Sequence, residues 1–508
     1  MSVGESKPMS LPKEIARLLG PDAHELDVPR SRRVFVNRNL RMDEIDLVGF
    51  DMDYTLAIYN QASIERLSIE CTLRKMVEKH RYSSAILGLD YDPAWAIRGL
   101  VVDRRQGNLL KMDRYGHVGR VYHGRRPVAK PERHALYRGE QRIRLSSSRY
   151  AWIDTLFALP EAVMYTRLID YFEDQKQPLR FTRLWQDIRE CIDEAHRDES
   201  MKTIIKANPG AYLVRDPELA PTLHKYRSSG KRLFLLTNSL WDYTDHVMRF
   251  LLDNALSAYP SWRSYFDIIV VAAQKPAFFT ERAPFSEIDA SGHPLRQFRE
   301  GQLLRGRIYE CGNLYDLERM AGAGGDHVLY IGDHIYGDML RSKKSSNWRT
   351  AMIIQELESE IQMQDRRAAE IARLEELERR LPTLDSEINY AQLVLKSLAR
   401  LSDSASGEPK IDPRQVETAK RAAKANLDHL RAELRDTLDE YGTLHQEIDR
   451  AFNPYWGPLF KEGPENSRFG EQVEDYACVY TSRVSNFLSY SPLQYFRGPR
   501  DHMPHEFA

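Results

Sequence analysis

An open α/β fold, built on a parallel sheet with helices on both faces, is predicted by three features of this sequence. Four short apolar runs, at 46–53, 231–239, 267–275 and 327–333, have the length of buried strands, and each leads into a loop or a helical pattern. Their apolar character is continuous rather than alternating, the pattern of strands covered on both faces. Each run also ends in polar residues, and in open α/β sheets ligands bind beyond the carboxyl ends of the strands.

The first run, VGFDMDYTLAIY, closes on Asp51 and Asp53. Like charges so close are costly when buried unless a cation neutralises them. The second run closes on Thr237, Asn238 and Ser239, the third on Lys275, and the fourth on Asp333 within YIGDHIYGD, which also holds Asp338. A parallel sheet brings these ends to one rim. The set suits phosphoryl chemistry. Asp51 can be a carboxylate nucleophile, and Asp51 and Asp333 can jointly hold Mg²⁺, a hard oxygen-seeking ion. Lys275 adds fixed positive charge beside phosphoryl oxygens. Thr237 can hydrogen-bond phosphate, and Asp53 can act first as general acid and then as base. Singly, each piece has an ordinary structural reading: a D-x-D turn, a Thr-Asn-Ser helix cap, a solvated lysine. Their joint occurrence, each after an apolar run, favours a site.

The remaining territory divides by composition. A segment at 1–43 precedes the core, which comprises 44–60 and 227–354. The stretch 61–226 between the first two strands is too long for a loop and reads as an inserted cap domain, with helical patterns such as AWIDTLFALPEAVMYTRLIDYFED and a basic, Gly-containing stretch near 116–131. Closing over the site is the natural use of such an insertion. At 355–451, Leu374, Leu377, Leu381, Leu384 and Ile388 step by three and four, as do Leu427, Leu430, Leu434 and Leu438, around the polar linker SDSASGEPKID. Two helices folding back as an antiparallel hairpin fit this pattern, and Pro382 should kink or restart the first. A C-terminal segment, 452–508, is expected to pack on the core.

Composition limits the function classes. Of 508 residues, 42% are hydrophobic and 29% charged, enough for two or three domains with substantial cores. A net charge of −1 provides no field for nucleic acid or an anionic membrane. No apolar run is long enough to span a bilayer, and the first twenty residues lack the apolar centre of a signal peptide. Four cysteines lie far apart, which fits neither a disulfide framework nor a zinc site. A cytoplasmic protein is expected.

The pattern DMDYT, TNS, K and GDxxxxD resembles the haloacid dehalogenase superfamily of phosphatases. FDMDYTLA, QKPAFF, YIGDHIYGD and SKKSSNWRT are similar to one branch of it, the cytosolic purine 5′-nucleotidases that prefer IMP and GMP. The resemblance runs from about Val34 to the C-terminus and is weak in the hairpin. It implies a Rossmann-like core of haloacid dehalogenase type with a cap, and an aspartyl-phosphate on Asp51. Mg²⁺ would sit on Asp51, the Asp53 carbonyl and Asp333, supported by Asp338, with phosphate held by Thr237 and Lys275. Asn238 and Ser239 are counted with the substrate-binding residues. In the cap, DTLFALPE resembles the segment whose aromatic residue, here Phe157, stacks on the purine. QDIRECIDEAHRDESMK resembles the segment that grips base and sugar, which points to Arg189, Asp193, His196 and Lys202. Arg189, Asp193 and His196 also share one helix face by spacing. An arginine donor suits a purine 6-oxo acceptor.

Some family members have an adenine-nucleotide effector pocket near the segments resembling IDTLF and the basic SKK. Three positions depart from the family pattern. Ala158 stands where Asn is common, Asp154 where an amide is expected, and Asp475 where the family has Arg; Lys343 and Lys344 of SKK are kept. The added negative charge disfavours an anionic effector. The expected function is a Mg²⁺-dependent hydrolase of purine nucleoside 5′-monophosphates, with a nucleoside as a second phosphate acceptor. It is expected to be a homo-oligomer, dimer or tetramer. The alternatives are a phosphatase of this fold for another small phosphate ester, or an inactive helical scaffold.

Overall fold

The computed structural model describes residues 28–137, 143, 148–298, 300–335, 346–403, 412–500, 503 and 506. The core is a ten-stranded sheet. In chain order its strands are β1 (Phe35–Val36), β2 (Leu47–Phe50), β3 (Arg232–Leu236), β4 (Ile268–Val271), β5 (Phe285–Ile288), β6 (Pro294–Phe298), β7 (Ile308–Cys311), β8 (Val328–Gly332), β9 (Arg349–Ile353) and β10 (Val479–Thr481). Their order across the sheet is β1-β10-β9-β8-β2-β3-β4-β7-β5-β6. The run from β10 to β7 is parallel, and the outer pairings are antiparallel. The four apolar runs of the sequence are therefore four adjacent central strands, β8, β2, β3 and β4, and the expected α/β class holds.

Their continuous apolar character has a direct cause. Val48, Phe50, Leu233, Leu235, Leu329 and Ile331 lie in one buried cluster, while Leu47, Phe234, Leu236, Val328 and Tyr330 lie in another. Successive side chains enter opposite faces, and both faces are covered. Gly49 is the one exception to bulk in β2. It is in register with Phe234 and Tyr330, and a Cβ there would come within 2.0 Å of the Phe234 ring.

The principal helices are α1 (Gln61–His80), α2 (Leu159–Asp174), α3 (Phe181–Arg197), α4 (Ser200–Ala207), α5 (Trp241–Leu252), α6 (Glu356–Arg366), α7 (Ala368–Asp403), α8 (Pro413–Phe452) and α9 (Arg468–Tyr476). The insertion after β2 enters and leaves through a two-stranded clasp, Ile58–Tyr59 against Leu213–Val214. Within it, α1 to α4 accompany a five-stranded antiparallel sheet made by Leu100–Asp103, Asn108–Met112, Val118–His123, Arg126–Pro127 and Tyr150–Ile153. No such sheet is expected from the sequence, where 116–131 stands out only as a basic Gly-containing stretch and Ala151–Ile153, here in the edge strand, reads as the start of a helical pattern. The strands are short, and two, Leu100–Asp103 and Asn108–Met112, are buried along their whole length, so they lack the alternation that marks a half-exposed strand.

The hairpin is antiparallel: Arg373 pairs with Glu440 and Arg380 with Glu433. Leu384, Ile388, Ala391, Leu427 and Leu430 form its core. Pro382 does not restart the helix, which runs unbroken as α7 from 368 to 403. Contacts to α8 hold it on both sides of the proline, Tyr441 donating to Glu378 at 3.1 Å before it and Leu384 packing after it. The break falls instead at Arg367, between α6 and α7. The C-terminal segment adds β10 to the main sheet, and Tyr495–Phe496 pairs with Leu40–Arg41. Among the described residues no helix is long and apolar enough to cross a membrane.

Candidate active site

A cavity of about 640 Å³ opens beyond the carboxyl ends of β2, β3, β4 and β8. It is lined from the core by Asp51, Asp53, Asn238, Ser239, Lys275, Asp333 and His334, and from the insertion by Asp154, Phe157, Glu161, Arg189, Asp193, His196 and Lys202, among others. The strand ends converge because the parallel ladder puts them there. The backbone N–H of Asp51 still donates to Ile331 O at 2.9 Å, so Asp51 is locked to β8 one residue past the end of β2.

Asp51 is 8% exposed, and its Oδ1 accepts from the Met52 N–H at 2.7 Å and lies 3.0 Å from Lys275 Nζ. Lys275 Nζ also donates to the Tyr330 hydroxyl at 2.9 Å. Asp53 is held by two hydroxyls, Tyr59 donating to Oδ1 at 2.6 Å and Ser239 to Oδ2 at 2.8 Å. Tyr59 and Tyr243 share a hydroxyl contact of 2.9 Å. Burial, reinforced by the charge of Asp53, pushes the Tyr59 phenol well above its ordinary value, so it is a donor at any working pH.

Thr237 is fully buried, and its Oγ1 accepts from the Ser239 N–H at 3.1 Å. It shapes the loop and does not line the cavity wall. Asn238 spends both ends of its amide on the Lys275 backbone, accepting from N–H at 2.6 Å and donating to O at 2.9 Å. It thereby joins the β3 loop to the β4 loop and sets the height of Lys275. Ser239, expected among the substrate-binding residues, donates to Asp53. Asp333 is 4% exposed, immediately after β8. Asp338, Lys343 and Lys344 lie outside the described residues.

The facing wall is built by α2, α3 and α4. Phe157 meets Tyr54 edge-on with ring centroids 4.6 Å apart, and His196 at 5.8 Å. Arg189 is paired with Asp193 at 3.0 Å along α3 and also with the buried Glu161 of α2. Burial pushes Glu161 up to about 7 despite that arginine. The Nδ1 of His196 is 2.7 Å from Ile192 O. A carbonyl only accepts, so Nδ1 carries the proton, and burial lowers the His196 pKa. A neutral ring with Nε2 as an acceptor results. Lys202 lies over the Tyr243 ring at 5.6 Å and 3.4 Å from Glu199. Asp154 lines this same cavity and pairs with His334 at 3.2 Å, whereas Asp475 is exposed on α9.

Sequence reasoning missed Tyr59, Tyr243, Glu161 and His334. Tyr59 was within reach, since it closes the same stretch as Asp53. Glu161 and His334 also lie inside quoted stretches, DTLFALPE and YIGDHIYGD, but their partners, like that of Tyr243, are set by packing between segments.

As for a cation, Asp51 and Asp333 are two nearly buried carboxylates at adjacent strand ends, an all-oxygen donor set of the kind that hard divalent ions take. The residues present fit Mg²⁺.

The family model for the 5′ nucleotidase family matches residues 34–508. Among curated relatives, a 5′-nucleotidase domain-containing protein of Dictyostelium discoideum is 29% identical over 483 residues, covering 93% of this chain and 75% of its own. 5′-Nucleotidase domain-containing protein 2 of Rattus norvegicus is 30% identical over 508 residues, covering 98% and 82%. Its Homo sapiens counterpart is 34% identical over 366 residues, covering 70% and 66%.

Proposed function

We propose, from the premise that this chain belongs to the 5′ nucleotidase family, that it is a hydrolase of the haloacid dehalogenase type and removes phosphate from purine nucleoside 5′-monophosphates through a covalent phosphate on Asp51. The observation that carries this is the Asp51–Lys275 contact at 3.0 Å on the rim that also holds Asp53 and Asp333. Nucleophile, fixed cation, proton carrier and second carboxylate meet in one cavity.

Asp51 attacks phosphorus and the bond to the 5′-oxygen breaks. Lys275 keeps the carboxylate aimed and offsets charge on the phosphoryl oxygens. Asp53 gives its proton to the leaving 5′-oxygen, then takes one from the water that cleaves the acyl phosphate. Asp51, Asp333 and the Asp53 carbonyl would hold Mg²⁺, whose charge offsets that of the approaching phosphate; Asp338 is proposed to support it. Thr237 and Ser239 organise the loop around the phosphate.

For the base, Phe157 provides a stacking surface and Arg189 a donor for a 6-oxo group. The Nε2 acceptor of His196 suits the N1–H of hypoxanthine or guanine, whereas adenine has a lone pair there. These features support IMP and GMP over AMP. Lys202 and Asp193 are assigned to the sugar side. The segment 61–226 acts as the cap that closes this wall over the core. A nucleoside left in the cavity has its 5′-hydroxyl where the first leaving group was, so phosphotransfer to nucleoside accompanies hydrolysis. A cytoplasmic homo-oligomer belongs to the same reading and rests on the resemblance.

The test is phosphate release across a panel of nucleoside monophosphates and unrelated phosphate esters, with Mg²⁺ or EDTA and with Asp51→Asn as control. IMP and GMP should lead, EDTA should stop turnover, and Asp51→Asn should abolish it in a folded protein. Pyrimidine nucleotides or a non-nucleotide ester as best substrate would refute the assignment. Labelled inosine with unlabelled GMP should yield labelled IMP; hydrolysis of GMP without it at saturating inosine would exclude the acceptor role.

A further inference from the structure

We infer that Arg98 is a positioning residue for Asp333, holding the second carboxylate of the site in place from within the inserted segment. This rests on the proposed function, in which Asp333 faces a divalent cation.

The sheet stops supporting the chain just before Asp333. The β8 ladder ends with Ile331 opposite Phe50 on one side and Gly332 opposite Met352 on the other. The next peptide carbonyl, Asp333 O, accepts from Arg98 Nη1 at 3.1 Å. The following side chain, His334, is held by Asp154 at 3.2 Å. Arg98 and Asp154 flank the ends of two paired strands of the insertion: Leu100 is opposite Ile153, and the Gly99 N–H donates to Ile153 O at 2.7 Å. One edge of the inserted sheet therefore grips the Asp333–His334 dipeptide at two points.

Arg98 is itself rigid. Its side chain is fully buried, and its Nε and Nη2 fork onto Glu356 of α6 at 2.8 and 2.6 Å. Its guanidinium lies 5.0 Å from the centre of the Phe469 ring of α9. The neighbouring Gly99 has φ of +86°, and a Cβ there would sit 2.6 Å from Phe469 Cβ, so the backbone is pressed against that helix. A bidentate, planar donor with no rotational slack suits the task; a lysine cannot occupy two carboxylate oxygens and a third acceptor in one plane. Groups that orient a metal-side ligand commonly contribute a factor of about 10–100 in metal affinity.

Arg98→Ala alone would both open a cavity at a fully buried side chain and strip the partly buried Glu356 of its bidentate partner, so the principal variant replaces both charges, Arg98→Met with Glu356→Leu. Glu356→Gln, which keeps volume and one acceptor for Arg98, is the second. Mn²⁺ binding without nucleotide is measured by electron paramagnetic resonance, alongside thermal melting and steady-state kinetics with IMP. The folded double variant should bind Mn²⁺ at least about ten-fold more weakly, with kcat reduced and KM for IMP little changed. Glu356→Gln should show a smaller shift in the same direction. Wild-type Mn²⁺ affinity in the folded double variant, or in folded Glu356→Gln if the double variant does not fold, would overturn the role of Arg98. No Mn²⁺ binding by the wild-type protein would instead overturn the reading of the site.

Discussion

The hydroxyl of Ser239 donates to Asp53 Oδ2 at 2.8 Å, tying the loop after β3 to the loop after β2. With Tyr59 on the other oxygen at 2.6 Å, the Asp53 carboxylate is fixed in plane. A proton carrier needs such orientation, because transfer falls off when donor and acceptor are misaligned. Ser239→Ala and Tyr59→Phe should each lower kcat for IMP by about ten-fold or more with little change in KM. Unchanged kcat in both variants would mean that the backbone alone orients Asp53.

Phe157, proposed above to stack on the base, also supports the ring of Tyr59 at a centroid distance of 6.2 Å. Phe157→Ala should raise KM by an amount equivalent to about 1–3 kcal/mol of lost stacking and lower kcat as well. Phe157→Leu, which preserves bulk, should raise KM while sparing kcat. Equal KM for IMP in the wild type and both variants would place the base elsewhere.

Glu360 is buried at the foot of the hairpin, where it accepts from the Leu459 N–H at 2.8 Å and the Phe460 N–H at 3.3 Å. Burial, the largest influence, pushes its carboxyl up to about 7. A raised acid pKa means that the folded protein holds a proton the unfolded chain has released. The associated stability is complete below about pH 4.5 and is lost as pH rises through 7, up to about 3 kcal/mol in all. Glu360→Gln cannot ionise, so its melting temperature should fall less than that of the wild type between pH 4.5 and 8. Parallel melting curves across that range would remove Glu360 from the account.

The hairpin can be shortened only above its foot. Glu356 pairs with Arg98, Glu358 with Arg483, Glu360 with the 459–460 backbone, and Asp449 with Arg120. Replacing 374–439 by a short Gly/Ser linker retains all of these, and phosphate release from IMP should stay within about two-fold of wild type, since Arg373 and Glu440 are already in contact. Replacing 358–449 should destabilise the fold. Loss of activity in a folded 374–439 deletion would mean that the arm completes the active assembly.

Much of this protein was legible in its sequence. The four central strands announced themselves because a strand buried on both faces must be apolar at every position, and the residues that end them are contiguous with them. Asp51, Asp53, Lys275 and Asp333 could be brought to one rim from that fact alone, and the hairpin followed from its heptad-like spacing. What only the tertiary structure decided is how those groups are held. Glu161 reaches Arg189 across 28 residues, Ser239 reaches Asp53 across 186, and Arg98 reaches the Asp333 carbonyl across 235. Asn238 and Thr237 were expected at the phosphate, yet Asn238 spends its amide on the neighbouring Lys275 loop and Thr237 accepts from Ser239 within its own. The antiparallel sheet of the insertion was likewise hidden. Periodicity reports which face of an element is buried; it does not report what is buried against it, because a hydrogen-bond partner is chosen by the packing of distant elements.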